Sequence, residues 1–135
     1  MKFEIATRGH GDVVDITEQV TKAVAASGVS TGLAVIYVAA STAAVTTMEH
    51  EDGLVNDLRR LFEKLAPEGA DYEHHRRWGD RNGSAHLLSA LIGPSVTLPV
   101  DAGRPVLGEW QQVVLIDLDE RPRTRTLIVT VSAGK

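Results

Sequence analysis

The chain has 135 residues, 43% of them hydrophobic and 24% charged, which are the proportions of one ordinary globular domain with its own core. We therefore expect a single domain over residues 1–135. The formal net charge of −4 gives little electrostatic support for nucleic-acid binding. The absence of cysteine excludes a disulfide framework, a thiolate metal site and a cysteine nucleophile.

Neither a secretory leader nor a membrane span is predicted. The opening residues, MKFEIATRGHGD, lack the long apolar segment of a signal peptide. No apolar run approaches the roughly 18 residues that a membrane helix needs. We expect a cytoplasmic protein whose partners include neither nucleic acid nor a membrane.

The first part of the chain predicts strands on both sides of a helix. Residues 2–7 alternate between apolar and polar side chains, as an opening strand does. Residues 15–28 are typical of a helix with Asp15 as its N-cap. Residues 31–40, TGLAVIYVAA, are almost continuously apolar and predict a strand buried on both faces. Residues 41–49 fit either a strand or a loop.

A long amphipathic helix and a polar segment come next. The helix is predicted over residues 51–67, with Glu51 and Asp52 in a first turn that favours negative charge. Its apolar stripe consists of Leu54, Val55, Leu58, Leu61, Phe62 and Leu65. The polar residues 68–83 predict a surface loop, and a short helix is expected over residues 82–93.

Three strand signals end the chain. They cover residues 95–100, 109–119 and 125–133, and a turn separates the first two. Three successive strands favour an antiparallel meander. The mixed order of elements predicts an α+β fold, because a regular alternation of strand and helix is absent.

The short helix over residues 82–93 carries one histidine among small residues. Successive residues of a helix are 100° apart, which gives each side chain a direction. The side predicted to be buried consists of Ala85, Leu87, Leu88, Leu91 and Ile92. His86 points the other way, with Asn82, Ser89 and Ala90 around it. Because this face contains no charged residue, two interpretations remain: His86 faces a ligand or another chain, or it only donates a hydrogen bond to a packed loop.

Histidine and carboxylate side chains from separate elements are candidates for a zinc site. His74, His86 and Glu49 would supply three ligands and leave a fourth position for water. His75 would point away from His74 if the two lie in an extended loop. No H-x-H or H-E-x-x-H spacing accompanies them.

No local motif for nucleophilic or nucleotide chemistry is present. The chain lacks G-x-S-x-G, a Walker loop and G-x-G-x-x-G. Arg76, Arg77 and Arg81 lie near the histidine pair. They either hold a phosphate group or form a solvated face.

Three stretches together resemble one family. They are STAAVTTME (residues 41–49), YEH (72–74) and AHLLSALIGPSVTLPVDAGRPVLGEWQQ (85–112). The chain resembles the YjbQ-like family, whose pattern contains H-T-T-A-A, Y-x-H, A-H-A-H-L before G-P-S, a P-V turn and G-T-W-Q. The likeness runs in order from about residue 31 to the C-terminus.

The resemblance implies a fold, an assembly and an activity. The fold is α+β, with a curved mixed or antiparallel sheet, or a sandwich, packed against two or three helices. The assembly is a homotrimer with sites close to the subunit boundaries. The activity is that of a thiamine-phosphate synthase, which joins a pyrimidine diphosphate to a thiazole phosphate and releases pyrophosphate. Such a reaction needs Mg²⁺ or arginines around the leaving group.

The resemblance also implies roles for particular residues. It assigns His86, Glu49 and His74 to catalysis, His74 and His86 to a divalent metal (Zn²⁺ or Mg²⁺), and Asn82, Gln111 and Thr42 to substrate binding. Two positions lack a histidine of the family pattern, since alanine stands at residue 40 and serine at residue 84. Two imidazoles of the family pattern are therefore missing from this chain. A third departure is Glu109, which stands where G-T-W-Q has threonine.

Three hypotheses about function follow. The first is a trimeric enzyme of the thiamine-phosphate synthase type that acts on a small phosphorylated metabolite, with histidine as acid or base near neutral pH. The second is a non-catalytic trimer that binds a metal or a small anion. The third is a structural or interaction protein whose histidine face packs against a neighbouring subunit.

Overall fold

Two antiparallel sheets and a layer of helices organise the computed structural model, which describes all 135 residues. The strands are β1 (Lys2–Thr7), β2 (Asp12–Asp15), β3 (Gly32–Val38), β4 (Ala43–Met48), β5 (Ser95–Asp101), β6 (Arg104–Pro105), β7 (Gln112–Asp117) and β8 (Arg123–Ala133). The helices are α1 (Thr17–Ser27), α2 (Asp52–Leu65), α3 (Glu73–Trp78) and α4 (Gly83–Ile92). None of the helices has the length and hydropathy needed to cross a membrane.

The strands divide into an outer and an inner sheet. The outer sheet has the order β1-β8-β3-β5-β6, and the inner sheet has the order β2-β7-β4. All neighbouring strands are antiparallel. The predicted α+β class and the sandwich are confirmed, with four helices where two or three were expected.

Strand β7 separates two hydrophobic cores. Val113 and Leu115 face the core between the two sheets, which also receives one side of α1. Val114 and Ile116 face a second core, which α2 and α4 cover from the other side. The alternation follows from the two-residue period of a strand. Fully burying one such side chain contributes about 1.5–3 kcal/mol, so β7 stabilises both layers.

The predicted meander of the last three strands is wrong. Strands β5 and β8 both pair with β3 in the outer sheet, whereas β7 pairs with β2 and β4 in the inner one. The reason is that β7 is apolar on both faces and needs cover on both, which only the middle layer provides. Strand β8 buries one face, which suits the outer layer.

Strand β3 is buried on one face only. The apolar sequence of residues 31–40 predicts burial on both faces, and that prediction is wrong. Ala34, Ile36 and Val38 are fully buried. Leu33 and Tyr37, on the opposite face, are 52% and 40% exposed. No other element of the chain covers the outer side of the outer sheet. The segment 41–49, which fitted a strand or a loop, forms strand β4.

Helix α1 begins one residue later than expected. Asp15 is not its N-cap; Ile16 occupies that position and makes no side-chain capping bond. The Asp15 carboxylate instead accepts hydrogen bonds from the backbone N–H and the hydroxyl of Thr17, at 2.9 and 2.6 Å. The side chain of Ile16 is fully buried between the sheets, and this burial fixes Ile16 at the N-cap position.

Helix α2 follows its prediction closely. The Glu51 carboxylate caps it by accepting from the backbone N–H groups of Gly53 and Leu54. Of the apolar stripe, Val55 and Phe62 are buried. The stripe is wider than the core needs, because three of its leucines remain at least partly exposed: Leu54, Leu61 and Leu65.

The polar segment 68–83 is not the loop that was predicted, because it contains α3. The hydroxyl of Tyr72, just before this helix, donates to the carbonyl of Pro67 at 2.7 Å. Gly79 ends the helix in a left-handed conformation with φ of 73°, which glycine adopts without strain. The short helix positions two histidines against α4.

Candidate functional site

Helix α4 is rotated relative to its predicted orientation. Leu87 and Leu91, predicted to be buried, are 53% and 69% exposed. Ser89, predicted to lie on the open face, is buried. Small side chains let this side of the helix approach β4 closely, and the backbone N–H of Val45 donates to the Gly93 carbonyl at 3.2 Å. As a result His86 lies at the margin of the buried side and is half-buried.

His86 borders a pocket between α4 and the connection from β3 to β4. The pocket has a volume of about 320 Å³, within the range of small-molecule sites. Its lining residues are Ala40, Ser41, Ala43, His86, Ser89, Ala90 and Pro94. His86 is the only titratable side chain in this lining, so it is the only general acid or base that the lining itself offers to a bound molecule.

His74 on α3 lies against His86. The centroids of the two rings are 4.5 Å apart, and the ring planes are inclined at 57°. His75 also faces α4, because adjacent helical residues differ by only 100°. Its Nε2 atom accepts a hydrogen bond from the backbone N–H of Gly83 at 2.9 Å. The prediction that the two adjacent histidines point in opposite directions is therefore wrong.

Three polar atoms of this region are shielded from solvent and have no hydrogen-bond partner within the chain. They are Nε2 of His74, Oδ1 of Asn82 and Oγ of Ser89. Such a group costs about 1–3 kcal/mol when it has no partner. Ser89 lines the pocket, His74 contacts His86, and Asn82 directly precedes α4. Unpartnered buried polar groups such as these are typical of a site that a ligand or ordered water completes.

The environment of His86 favours its neutral form. Burial lowers the pKa of His86 below its ordinary value of 6.5, and the neighbouring His74 lowers it further. The carboxylates of Asp119 and Asp80 act on the same pKa in the opposite direction without reversing the shift. At neutral pH the ring therefore has a free lone pair, which can accept a proton or a metal ion.

A network of buried charges adjoins the pocket wall. The Arg125 guanidinium donates to both carboxylate oxygens of Asp117, at 2.7 and 2.8 Å. The Thr42 hydroxyl donates to Asp119 at 2.8 Å and accepts from Arg125 at 2.7 Å. The Nε of Arg123 donates to Asp119 at 3.1 Å. Thr42, predicted to bind substrate, is thus engaged with protein groups.

The buried carboxylate of Asp119 stays ionised. Burial raises its pKa, but hydrogen bonds from Thr42, from the backbone N–H of Glu120 and from Arg123 outweigh that effect. The net result is a pKa below the ordinary value of 3.8. This fixed negative charge is part of the electrostatic surroundings of His86.

Sequence reasoning missed this network, although a signal was present. Asp117 and Asp119 are two residues apart in the otherwise apolar run VVLIDLD, and Arg123 and Arg125 repeat the spacing. Residues two apart in a strand project to the same side. Paired carboxylates and paired guanidinium groups with this spacing predict ion pairs inside the sandwich.

Glu49 and Gln111 lie at the other end of β4. Ala43 lines the pocket, whereas Glu49 follows the last residue of that strand. Six residues of strand separate their Cα atoms by roughly 20 Å. Gln111 holds its own loop, since its side chain accepts from the Gly108 N–H at 2.9 Å and donates to Thr47 at 3.0 Å. The predicted zinc ligands His74, His86 and Glu49 are therefore not brought together within one chain.

With Glu49 distant from the pocket, only His74 and His86 remain as candidate ligands for a metal ion. No group of three histidine, cysteine, aspartate or glutamate side chains lies close enough to hold one. Zinc sites use three or four protein ligands, so His74 and His86 would need further ligands from outside the chain. Mg²⁺ prefers oxygen ligands, and this pair of imidazoles does not fit it.

The arginines near the histidine pair do not line the pocket. Arg76 is exposed and its guanidinium pairs with Asp71 at 2.6 Å. The pocket lining contains no positively charged residue. A phosphate group bound through these arginines would therefore lie outside the pocket itself.

Comparison with known proteins now decides the family. A family model described as UPF0047 protein YjbQ-like matches residues 1–134. The chain belongs to this YjbQ-like family. A YjbQ-like relative from Archaeoglobus fulgidus, a UPF0047 protein, is 38% identical over 129 residues, which are 96% of this chain and 98% of the relative. YugU from Bacillus subtilis is 32% identical over 128 residues, 94% of each chain.

Solved YjbQ-like structures share the fold. A hypothetical protein from Aeropyrum pernix gives a TM-score of 0.91 at 32% identity, covering 99% of this chain and 98% of that one. An uncharacterized conserved protein of the same family from Clostridium acetobutylicum gives 0.89 at 31% identity, covering 98% and 99%. The family expected from the sequence is confirmed.

The two positions that lack a histidine of the YjbQ-like pattern lie in different places. Ala40 lines the pocket beside His86. Ser84 is buried and its hydroxyl donates to the Ala66 carbonyl at 2.5 Å. Only the first departure removes an imidazole from the pocket wall.

Proposed function

We propose that this protein is a cytoplasmic enzyme of the thiamine-phosphate synthase type, with the pocket beside His86 as its active site. The reaction forms a bond between the methylene carbon of a pyrimidine diphosphate and the ring nitrogen of a thiazole phosphate. The bond from that carbon to the diphosphate oxygen breaks, and pyrophosphate leaves. The family resemblance suggests this reaction, and the pocket beside His86 is where we propose that it takes place.

One observation carries the proposal: His86 and His74 contact each other beside a pocket of about 320 Å³ whose surroundings contain three unpartnered polar atoms. That volume is at the lower end of small-molecule sites and suits a single heteroaromatic ring. A half-buried neutral imidazole offers such a ring a hydrogen-bond donor and an acceptor. The amide of Asn82 and the hydroxyl of Ser89 would orient it.

The charge of the diphosphate would be met outside the pocket. Arg77 and Arg81 lie on α3 and on the turn that leads to α4. Guanidinium groups bind phosphate oxygens through paired hydrogen bonds. They would stabilise the charge that develops as pyrophosphate leaves, without a metal ion held by the histidines.

Thiamine-phosphate formation by the purified protein tests the proposal. The substrates are hydroxymethylpyrimidine diphosphate and thiazole phosphate in buffer containing Mg²⁺, and the variant is His86→Asn. The matched control is His10→Asn, which alters an exposed histidine with φ of 54°, a conformation that asparagine tolerates. We expect His86→Asn to lower kcat by about 10²–10⁴-fold, the range of a lost acid or base, and the control to match the wild type. Equal rates in all three proteins would refute the proposal.

A second candidate is a non-catalytic protein that binds a metal or a small anion. The observation that favours it is the unpartnered Nε2 of His74 beside the neutral ring of His86, because two neutral imidazoles are a partial zinc site. Calorimetric titrations with Zn²⁺ and with inorganic phosphate test it. Stoichiometric binding that His86→Asn abolishes, in a protein that forms no thiamine phosphate, would favour this candidate over the enzyme.

We also propose, from the family resemblance, that the protein assembles as a homotrimer. Sedimentation equilibrium of the wild-type protein tests the number of copies. A mass of three times the chain mass of 14.5 kDa is expected.

A further inference from the structure

A second cavity lies between β2 and the N-terminal half of α2, and it shares no residue with the pocket beside His86. Its volume is about 330 Å³, which is close to that of the other pocket. Six of its eight lining residues are charged or polar, so it differs from the almost uncharged lining beside His86. The lining consists of Arg8, Asp12, Val13, His50, Asp52, Val55, Asn56 and Arg59.

Hydrogen bonds to the backbone hold two of the polar side chains in place. The Nε atom of Arg59 donates to the Gly11 carbonyl at 3.0 Å, which ties α2 to the turn before β2. The Nε2 atom of His50 donates to the Val13 carbonyl at 3.0 Å, which ties the connection from β4 to β2. Both walls of the cavity are therefore fixed before any ligand arrives, and this preorganisation favours binding.

The terminal nitrogens of Arg59 remain available to a ligand. Only its Nε atom is hydrogen-bonded, and its guanidinium forms no ion pair, unlike that of Arg60, which pairs with Asp57. Arg8 adds a second guanidinium, which is 84% exposed and contacts Asp12 through one nitrogen at 3.2 Å. Guanidinium groups with free N–H donors bind phosphate oxygens through paired, charge-assisted hydrogen bonds.

Groups that can bind hydroxyls follow along the same helix. Asp52, Asn56 and Arg59 are spaced by four and then three residues, so they lie on one side of α2. The side chains of Asp52 and Asn56 are exposed. A carboxylate accepts hydrogen bonds from hydroxyl groups, and an amide both donates and accepts. From Asp52 to Arg59 the helix rises roughly 10 Å, which is the length of a small sugar phosphate.

The remaining part of the lining is apolar. Val13 and Val55 are buried beneath the polar side chains. The carbon atoms of a sugar ring can pack on such a surface and remove it from water. The cavity therefore offers cations at one end, hydroxyl partners at the other and an apolar contact between them.

We propose that this cavity binds a small sugar phosphate, a phosphate monoester that carries several hydroxyl groups. Its phosphate lies at the guanidinium groups of Arg59 and Arg8, and its hydroxyls bond to Asp52 and Asn56. A phosphate monoester has nearly two negative charges at neutral pH, which the two guanidinium groups balance. The carboxylate of Asp52 repels phosphate from the other end, so it sets the orientation of the ligand.

Calorimetric titration of the full chain at low ionic strength, where charge interactions are least screened, tests the proposal. The probes are ribose phosphate, inorganic phosphate and ribose. We expect ribose phosphate to bind most tightly and inorganic phosphate more weakly, because the free ion contacts only the arginine end. Ribose, which lacks the charge, should not bind measurably.

Two arginine variants locate the phosphate. Arg59→Met keeps an apolar stem but removes the charge, and it should weaken the binding of ribose phosphate by about ten- to a hundredfold. Arg60→Met is the matched control on the same helix, because Arg60 pairs with Asp57 and does not line the cavity. It should leave the affinity unchanged. Circular dichroism shows whether each variant is folded, and Arg8→Met replaces Arg59→Met if the latter is not.

A third variant separates the sugar phosphate from the free ion. Asn56→Ala removes a hydroxyl partner, so it should weaken ribose phosphate by about two- to tenfold and leave inorganic phosphate unchanged. If inorganic phosphate binds as tightly as ribose phosphate and Asn56→Ala alters neither, the assignment to a sugar phosphate is overturned.

Three further results would overturn the proposal. One is the absence of any heat of binding from ribose phosphate at millimolar concentration. Another is binding that Arg59→Met leaves unchanged. The third is binding that His86→Asn abolishes, because the ligand would then lie in the other pocket. The proposal does not rest on thiamine-phosphate formation, which is measured in a separate assay and can fail without affecting this site.

Discussion

The imidazole rings of His74 and His86 approach to a centroid distance of 4.5 Å, although one belongs to α3 and the other to α4. Two more contacts hold the helices in this relation. His75 accepts a hydrogen bond from the first N–H of α4, and Tyr72 packs against Gly83 so closely that an added Cβ would lie 2.8 Å from it. The positions of the two rings are thus set by the packing of α3 on α4.

The ionisation of His86 should depend on its neighbour. Because His74 contributes to the lowered pKa of His86, the substitution His74→Gln should raise that pKa toward its ordinary value of 6.5 without restoring it fully, since burial remains. Titration of the His86 ring protons by NMR measures this. An unchanged pKa would mean that His74 does not act on His86, and His10→Gln is the control.

Stability should fall as the solution is acidified through the range in which His86 titrates. The folded state binds the proton less readily than the unfolded chain, because the pKa of His86 is lowered. The stabilisation of the fold by neutral His86 is therefore fully present above about pH 6.5, the pKa of histidine in the unfolded chain. It is lost as the pH falls through the lower pKa that His86 has in the folded protein. Urea unfolding between pH 7 and pH 5 checks it. The variant His86→Asn should show a weaker dependence on pH, and an identical slope would contradict this explanation.

Breaking the buried ion pair should destabilise the fold strongly. Asp117 is fully buried and accepts two hydrogen bonds from the Arg125 guanidinium, in addition to those from the Thr7 hydroxyl and the Asp119 N–H. Removing one partner leaves an uncompensated buried charge, so Arg125→Met should lower the free energy of unfolding by about 3–5 kcal/mol. Urea denaturation measures the loss.

The control for that prediction is an exposed pair. Lys22 and Glu18 are 3.0 Å apart, and both side chains are about three-quarters exposed. The substitution Lys22→Met should change the free energy of unfolding by less than about 1 kcal/mol. Similar losses in the free energy of unfolding for Arg125→Met and Lys22→Met would show that burial does not determine how much an ion pair contributes to stability.

A methyl group at residue 83 should disturb both stability and the site. A Cβ there would lie 2.8–2.9 Å from the side chain of Tyr72, so α3 and α4 must move apart. We expect Gly83→Ala to cost about 1–3 kcal/mol and to shift the NMR signals of His74 and His86. Gly69→Ala, with no atom within 4 Å of its added Cβ, should be neutral or slightly stabilising. Equal effects at the two glycines would contradict the packing argument.

Restoring the imidazole of the family pattern should create a metal site. Ala40 lines the pocket beside His86, so Ala40→His would give the wall a second imidazole and bring the local set to three with His74. Three histidines are a zinc ligand set. We expect the variant to bind Zn²⁺ or Co²⁺ at least about tenfold more tightly than the wild type, which is about 1.4 kcal/mol. The visible spectrum of bound Co²⁺ reports the geometry.

The matched control for the metal prediction is Ser84→His, at the other position that lacks a histidine of the family pattern. Ser84 is buried and bonded to the Ala66 carbonyl, so a histidine there should not add a ligand beside His86. Equal affinity in the wild type and in Ala40→His would place residue 40 outside the ligand shell.

Local elements of this protein were predictable because their signals lie within a few residues of each other. Helix α2 needs only its capping Glu51 and a stripe of 3.6-residue period, and both are visible in the sequence. The short α4 was expected within one residue of its observed start. The sequence also identifies Asn82, Ser89 and His86 as members of an unusual helix face without charged residues.

The rotation of α4 was not predictable from its apolar residues. Hydrophobic periodicity favoured burial of Leu87 and Leu91, but both are exposed while Ser84 and Ser89 are buried. Close approach to β4 requires small side chains, and this requirement outweighed the preference of leucine for the interior. Which side of α4 is buried therefore depends on the strand that packs against it, and the sequence of the helix does not contain that information.

The sequence by itself therefore determined the family, the class of fold, most helices and strands, and His86 as a residue of interest. Only the tertiary structure decided which distant residues meet. Thr42 and Asp119, 77 positions apart, share a hydrogen bond, whereas Glu49 lies at the far end of β4 from the histidine pair. The physical reason is that periodicity is set by neighbours along the chain, whereas the pairing of strands is set by which faces can be covered on both sides.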